Sequence, residues 1–493
     1  MEIMKNLKRT VALMLVLIMA FAVTGCTKTV KTASTIEGSE GSDYVIGWEE
    51  EDVSGTDVLN SDAAGSNSSS TSSSGSSSSS GTNTSSSVFT PEATFDVYKN
   101  IPKNVKQIKI LLWYTPDKTE QAVFDAFEKK FGIKVKTICT DNAGYLTKLT
   151  TLVASNDAPD VAALYDFPAP VVKGLFQTID SVMADKGGAF DLKRDPAIDL
   201  DAMKYMAWNG KQYGVQLKGN WHSDRWVIIF NRTLFKNRGI TDPYTLWKQN
   251  KWNWTTFEQA AKDMTYKNNG IQVYGFGPGM ESALYGLLAS AGKNIVTINN
   301  DKGTIANNSA DNTVISAATL LTRIRSAGQC VPNGSDWSMF TKGQCAMWLT
   351  SHTQVKKGRE FDSMTDDWTT VPVPSPEGKE MIVPYGTTGF GIPKGSKNAI
   401  AGSYLIRWLL DSNNWDIRAT FSTQEMYDNW VEQQKYKTCF VTVGPIINNA
   451  SGLGNSLNNV TWGNVNDVAT GLKSLSGNID SAIKTTVNEM GKQ

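Results

Sequence analysis

Between Tyr213 and Gly239 the chain runs YGVQLKGNWHSDRWVIIFNRTLFKNRG. A strand ending at Leu217 and a second from Arg225 to Asn231 are joined by Lys218, Gly219, Asn220, Trp221, His222, Ser223 and Asp224, and a helix starts at Thr233. Each polar group sent into a core without a partner costs on the order of 1–3 kcal/mol. A connection that carries Asn, Trp, His and Asp together is therefore expected to cross open ground between two lobes. Length agrees, because the roughly four hundred residues beyond the amino-terminal region exceed one typical core.

Ahead of this bridge, Val105 to Trp113 (VKQIKILLW) alternates and then turns fully apolar, as a buried parallel strand does. Thr119 to Phe131 carries Ala122, Val123, Phe124, Ala126, Phe127 and Phe131 at helical spacing, Gly132 stops it, and Ile133 to Ile138 is the next strand. Tyr145 to Ala154 predicts a helix, Asp160 to Leu164 a strand, and Val171 to Leu175 a short helix. Such alternation argues for a parallel α/β sheet, whose ligands sit beyond the carboxyl ends of the strands. Trp113, Tyr114, Asp141, Tyr165 and Asp166 fall there. Beyond the bridge, Thr255 to Met264 is a helix that Thr255 or Thr256 can cap, with Glu258 placed to reach back. Ser309 to Ala327 and Val465 to Met490 are helices too, the last expected to pack on the second lobe.

The amino terminus places Lys5, Lys8 and Arg9 before an apolar run from Val11 to Val23, too short for a stable span and laid out as a secretory signal peptide. It ends in Val23-Thr24-Gly25-Cys26, which matches the bacterial lipobox and predicts lipidation at Cys26. From Thr27 to about Ser87 there is no apolar periodicity, and Gly65 to Ser87 is almost pure Ser, Gly, Thr and Asn. That composition cannot offset chain entropy, so a flexible tether of roughly 45 Å r.m.s. is expected.

Lys plus Arg and Asp plus Glu stand at 48 each, which leaves no basic stripe for nucleic acid. The two histidines, His222 and His352, lie far apart, and no CxxC, HExxH, EF-hand loop or GxSxG occurs, so no cofactor and no metal is expected, with calcium on scattered backbone carbonyls left open. No catalytic residue is assigned, although the two carboxylates of a glycosidase would leave no such motif. GFGPGMESALYG, from Gly275, lacks both the Gly-Lys-Ser/Thr ending of a phosphate loop and the last glycine of a dinucleotide fingerprint. Besides Cys26 there are Cys139, Cys330, Cys345 and Cys439. A Cys330–Cys345 bridge would stabilise by roughly 3 kcal/mol in the chain-entropy model, yet Cys345 reads equally well as a small buried strand residue.

The positive signal is aromatic: 15 Trp, 15 Tyr and 18 Phe in a chain of zero formal net charge suit an uncharged partner. A sugar ring has an apolar C–H face and a polar rim, so its matched site is a flat aromatic platform edged by carboxylates and amides. Trp252, Trp254, Trp348 and Trp408 precede or lie on predicted elements and are assigned to the core. Trp113, Trp221 and Trp337 sit at strand ends or in polar loops and are assigned to ligand, with Tyr114 and Tyr385. The chosen polar contacts are Asp166 at a strand end, Asn220 and His222 on the bridge, and Glu281 at a helix start. Asp141 and Asp224 are weaker choices, since Asp in a turn usually caps its own backbone.

The order YGV, bridge, aliphatic strand ending in Asn, LF…GI, then Trp254-Thr-x-Phe257-Glu258-x-Ala260 resembles the extracellular solute-binding proteins of family 1, the sugar-capturing receptors of ABC importers. Asp157-Ala-Pro-Asp160-Val with Gly174-Leu-Phe-Gln-x-Ile-Asp180 resembles a further family segment, in which Asp160 orders the turn. So does Asp336-Trp337-Ser-x-Phe340-x-x-Gly343-x-x-Ala346-Met347. Tyr385-Gly386-Thr-Thr-Gly389-Phe-Gly391-Ile-Pro393 resembles the return crossing to the first lobe, its glycines leaving a hinge free to rotate. The resemblance implies a periplasmic-binding-protein-like α/β fold, two lobes joined by a multi-strand hinge with the ligand cleft between them. Residues 1–25 would be signal peptide, 26–100 tether and 101–493 the binding domain. Its first lobe would be 105–217 and 386–430, and its second 225–384 and 431–493. It further implies a monomer on the outer face of the cell membrane, an oligosaccharide as ligand and ABC permease subunits as partners. A surface-tethered carbohydrate-active enzyme and a non-transporting glycan sensor are the alternatives.

Overall fold

The computed structural model describes residues 96–441, apart from 166, 221–222, 278–279, 300–301, 333 and 388, together with 460 and 467–490. The expected signal peptide, tether and Cys26 lie outside the described residues, as do Asp166, Trp221 and His222.

Strand β1 (Gln107–Leu112) buries Ile108, Ile110, Leu111 and Leu112 completely, as its apolar run predicts. It pairs in parallel with β2 (Lys134–Cys139) and β3 (Val161–Ala163). Antiparallel β15 (Phe390–Pro393) and β4 (Phe176–Gln177) complete a five-stranded sheet of order β2-β1-β3-β15-β4. Helix α1 (Lys118–Phe131) starts at Asp117, whose carboxylate accepts the Glu120 N–H, and stops at Gly132, which takes φ of 70°. Its buried face is Glu120, Val123, Phe124 and Phe127. Helix α2 (Asn142–Ala154) is capped by Asp141, as expected for that side chain.

The second sheet is built on β7 (Ser223–Asn231). Along one edge runs β12 (Cys345–Ser351), followed by β9 (Ile271–Gly277) and β8 (Tyr266–Asn268). The other edge is shared: β14 (Ile382–Thr387) pairs with Ser223 to Arg225, and β13 (Trp368–Pro372) with Val227 to Asn231. β16 (Lys437–Phe440) lies outside β14. Two ribbons, β5 (Ala207–Trp208) with β6 (Lys211–Gln212) and β10 (Val296–Asn299) with β11 (Thr304–Asn307), stand apart. Helices α3 (Trp254–Asp263), α4 (Met280–Ser290) and α5 (Asn312–Ser326) supply the core of this layer with Phe257, Leu284, Leu288 and Leu321. Helix α3 begins one residue earlier than expected. Asn253 and Thr256 form its reciprocal cap, which leaves Glu258 to pair with Arg323.

The two sheets define two lobes, and the chain crosses between them where strands are paired. It enters β7 from the first lobe and leaves β14 for β15, while Ser223–Thr387, Asp224–Gly386 and Arg225–Tyr385 face each other across the ladder. Those pairs form the multi-strand hinge. The expected strand ending at Leu217 is reduced to isolated bridges, Gly214 with Gly391 and Leu217 with Ile198. The crossing glycines answer to space more than to rotation. A Cβ on Gly389 would come within 2.0 Å of Met206 Cε, and one on Gly391 within 2.9 Å of Phe176 Cδ1.

A third passage runs from α6 (Ala399–Leu410), which covers β3 and β15, to α7 (Gln424–Gln433), which packs on β13. An Arg232–Glu425 ion pair also ties α7 to the residue that follows β7. Helix α8 (Val468–Met490) lies against β11 and α5, burying Leu472 and Ile479.

Cys330 and Cys345 are both buried free thiols. Cys345 faces Tyr274 on one edge of β9, and Cys330 bridges to Phe276 on the other. Two strand spacings, about 9.5 Å, exceed the roughly 7 Å that a disulfide spans.

Candidate functional site

At the carboxyl ends of β1 and β3 four rings stand in a row. Tyr114 meets Trp113 edge-on at 5.0 Å, Trp113 stacks on Tyr165 at 5.1 Å, and Tyr165 meets Tyr145 edge-on at 5.8 Å. The sheet order explains the row, since β1 and β3 are parallel neighbours and Trp113 and Tyr165, one and two residues past their ends, emerge side by side, with Tyr145 added from α2. Trp113 is half-buried, and its Nε1 has no hydrogen-bond partner among the described residues. Tyr145 donates its O–H to the Ala163 carbonyl, which fixes the far end of the row to β3.

The near end is fixed by a carboxyl. Tyr114 Oη donates to Glu120 Oε1 at 2.7 Å, and burial followed by the nearby Glu120 charge pushes the phenol well above its ordinary range. Burial likewise pushes Glu120 up to about 7, against the lowering effect of the Tyr114 hydrogen bond. Asp117 is itself partly desolvated, which alone would raise it. The Lys356 charge and the α1 cap bonds outweigh that and hold it below the usual carboxylate range. Lys356 comes from the second lobe, in the connection between β12 and β13, and its Nζ lies 3.3 Å from Asp117 Oδ2.

On the hinge, Asp224 accepts from the Thr353 backbone N–H at 3.1 Å and from Thr353 Oγ1 at 2.9 Å, so it braces β12 and does not cap its own turn. Burial raises its carboxyl. His352 is buried, its ring nitrogens have no hydrogen-bond partner among the described residues, and burial, then the Arg225 charge, depress it to about 3, which favours the neutral imidazole. Tyr385, expected at the ligand, is 2 % exposed and wedged between Tyr205 and Phe440. Asn220, also expected there, is fully buried and donates to Gln216 Oε1 at 2.7 Å. Trp337 stands 41 % exposed before the short helix Ser338–Thr341, edge-on to Phe361. Glu281 lies on the first turn of α4.

Of the tryptophans assigned to the core, Trp252, Trp348 and Trp408 are buried and Trp254 is half-buried against it. Trp252, Trp254 and Trp408 donate to the carbonyls of Pro372, Pro374 and Val123, and Trp348 is buried. A surface groove of about 330 Å³ beside Trp254 has its polar groups already engaged, Glu258 with Arg323 and Thr255 with Glu377. Among the described residues no three His, Cys, Asp or Glu side chains converge as metal ligands. Nor is any helix among them long and apolar enough to cross a membrane.

Sequence reasoning missed Glu120 and Lys356. Glu120 had a signal, because it shares the helical face of Val123, Phe124 and Phe127, where a carboxyl has no business unless it is partnered. Lys356 had none; only the fold brings it to Asp117.

Two α/β lobes, paired crossing strands and an aromatic row at a sheet edge define a two-lobed solute-binding fold. The chain belongs to the bacterial extracellular solute-binding protein family, whose model matches residues 113–412. A search of curated proteins by sequence finds no match. Among solved structures the chain is similar to the ABC substrate-binding protein Lmo0181 from Listeria monocytogenes in complex with cycloalternan. That pair has 22% identity and a TM-score of 0.58 over 77% of this chain and 100% of that one. It is also similar to the sugar-binding protein MalE from Xanthomonas citri, at 16% identity and a TM-score of 0.61 over 77% and 98%. A third is the extracellular solute-binding protein from Staphylococcus aureus in complex with maltose, at 16% identity and a TM-score of 0.56 over 77% and 98%.

Proposed function

We propose that this protein is the membrane-anchored, extracellular substrate-binding component of an ABC importer. It captures a carbohydrate, an oligosaccharide, by lobe closure and hands it to the permease without breaking a bond. The observation that carries this reading is the row Tyr114, Trp113, Tyr165 and Tyr145 at the carboxyl edge of the first sheet. Of these rings Trp113, Tyr114 and Tyr165 are half-buried and offer apolar surface to the C–H face of a sugar, while Tyr145 is buried behind them. Family membership and neighbouring structures that hold cycloalternan and maltose support the same class of ligand.

Trp113 and Tyr114 meet the ligand from the first lobe, and Trp337 and Glu281 from the second. Asp166, Trp221 and His222 are proposed at the same cleft from their places in the sequence. Asn220 and Tyr385 serve the hinge, because their buried contacts leave them little surface to offer. Ligand contacts made by both lobes favour the closed state over the open one. A lipid on Cys26 and the Ser/Gly-rich tether keep this monomeric head near its permease.

A thermal-shift screen of the purified protein over linear and cyclic glycans tests the reading, since a ligand that binds only the native state raises the melting temperature. Stabilisation without new reducing ends is the expected result. Turnover of the glycan, or stabilisation by no carbohydrate at all, overturns it.

A further inference from the structure

Glu120 is a carboxyl on the buried face of a helix, 5 % exposed, and the groups around it come from three directions. Tyr114 and Asp117 face it from the β1–α1 connection, Cys139 from the end of β2, and Lys356 from the second lobe. One of its oxygens accepts the Tyr114 O–H at 2.7 Å, and Tyr114 in turn stands against Trp113. Its backbone N–H is held at 2.9 Å by Asp117, the same carboxylate that pairs with Lys356 at 3.3 Å. One buried residue thus touches both the aromatic row and the ion pair between the lobes.

We infer that Glu120 is a positioning residue that couples the two. It holds Tyr114 and, through it, Trp113 in the ligand-receiving orientation, and in its ionised form it draws the Lys356 segment of the second lobe toward the first. The inference rests on the reading of Trp113 as part of the ligand platform. Ionised, Glu120 makes a charge-assisted bond to Tyr114 and sets a second negative charge beside Asp117 for Lys356 to meet. Protonated, it does neither. Because burial holds its carboxyl near 7, the switch between these forms falls at ambient pH.

The test needs no ligand, so its failure is distinguishable from failure of the carbohydrate reading. Tryptophan emission of the full chain is recorded from about pH 5.5 to 8.5 beside that of Trp113→Phe, and the difference isolates Trp113. The wild-type difference is expected to titrate with a midpoint near neutrality, and Glu120→Gln to abolish the transition. Lys356→Met removes a charge that favours the carboxylate and is expected to move the midpoint up by about one pH unit. Tyr114→Phe moves it the same way. A purely structural Glu120 would give no such midpoint. A transition that survives in Glu120→Gln, a midpoint unmoved by Lys356→Met, or a flat wild-type profile overturns the inference. Should Glu120→Gln fail to fold, the Lys356→Met arm decides alone, since that residue sits at the surface of the network.

Discussion

Replacing Asp160 by alanine removes one carboxylate that ties three pieces of the first lobe together. The side chain is 1 % exposed. Its Oδ2 accepts the Lys109 N–H of β1 at 2.9 Å, and its Oδ1 accepts the Asn398 N–H at 3.0 Å and the Ser396 O–H at 3.1 Å ahead of α6. Alanine would orphan these three donors and remove the longer Asn398 Nδ2 contact at 3.4 Å. The Lys109 N–H lies within the sheet, whereas Ser396 and Asn398 are partly open and water can reach them. One full desolvation penalty plus two partial ones amount to about 2–4 kcal/mol. Asparagine keeps one accepting oxygen and should cost roughly half as much. Urea unfolding followed by tryptophan emission measures both variants, read as shifts of the midpoint at unchanged slope. A loss under about 1 kcal/mol for Asp160→Ala, or equal losses for Ala and Asn, would refute the claim that this carboxylate holds the three segments.

Glu120 carries a pH signature in stability as well. Burial raises its folded value from 4.5 to about 7, so the folded state binds the proton more tightly than the unfolded one. Stability from this group therefore falls as pH climbs from 4.5 to 7 and levels off above. Relative to wild type, Glu120→Gln should gain nothing near pH 4 and up to about 3 kcal/mol near pH 8, checked by urea unfolding at both. Trp113→Ala and Trp337→Ala should each weaken glycan binding about 30-fold, or about 2 kcal/mol, by titration calorimetry, while Trp254→Ala leaves affinity unchanged. Cys330 and Cys345 should both alkylate after denaturation without reductant, and reductant should leave the melting temperature where it was.

The two-lobed α/β fold was legible because it depends on local patterns. An apolar run with a helical stripe and a stopping glycine gave β1, α1 and Gly132 their places, and the polar, aromatic bridge marked the crossing. Boundaries moved where capping chemistry decided them, as when Asn253 took the cap of α3 from Thr255 or Thr256. The core tryptophans were legible for the same reason, since each sits on or just before a predicted element. What sequence order could not supply was long-range pairing. Tyr385 looked like a ligand contact beside a glycine-rich crossing, but its ring is needed between Tyr205 and Phe440. Asn220, chosen as a polar contact on the bridge, is buried and donates to Gln216. Lys356 meets Asp117 only because two lobes approach, a fact no window along the chain contains.

Small-angle scattering of the purified protein, with and without a saturating glycan from the stability screen, tests the two-lobed capture mechanism most directly. A smaller radius of gyration on binding, shifted to about 30-fold higher glycan concentration in Trp113→Ala, is the predicted result. Tight binding of a glycan to the wild type with an unchanged scattering curve would contradict it.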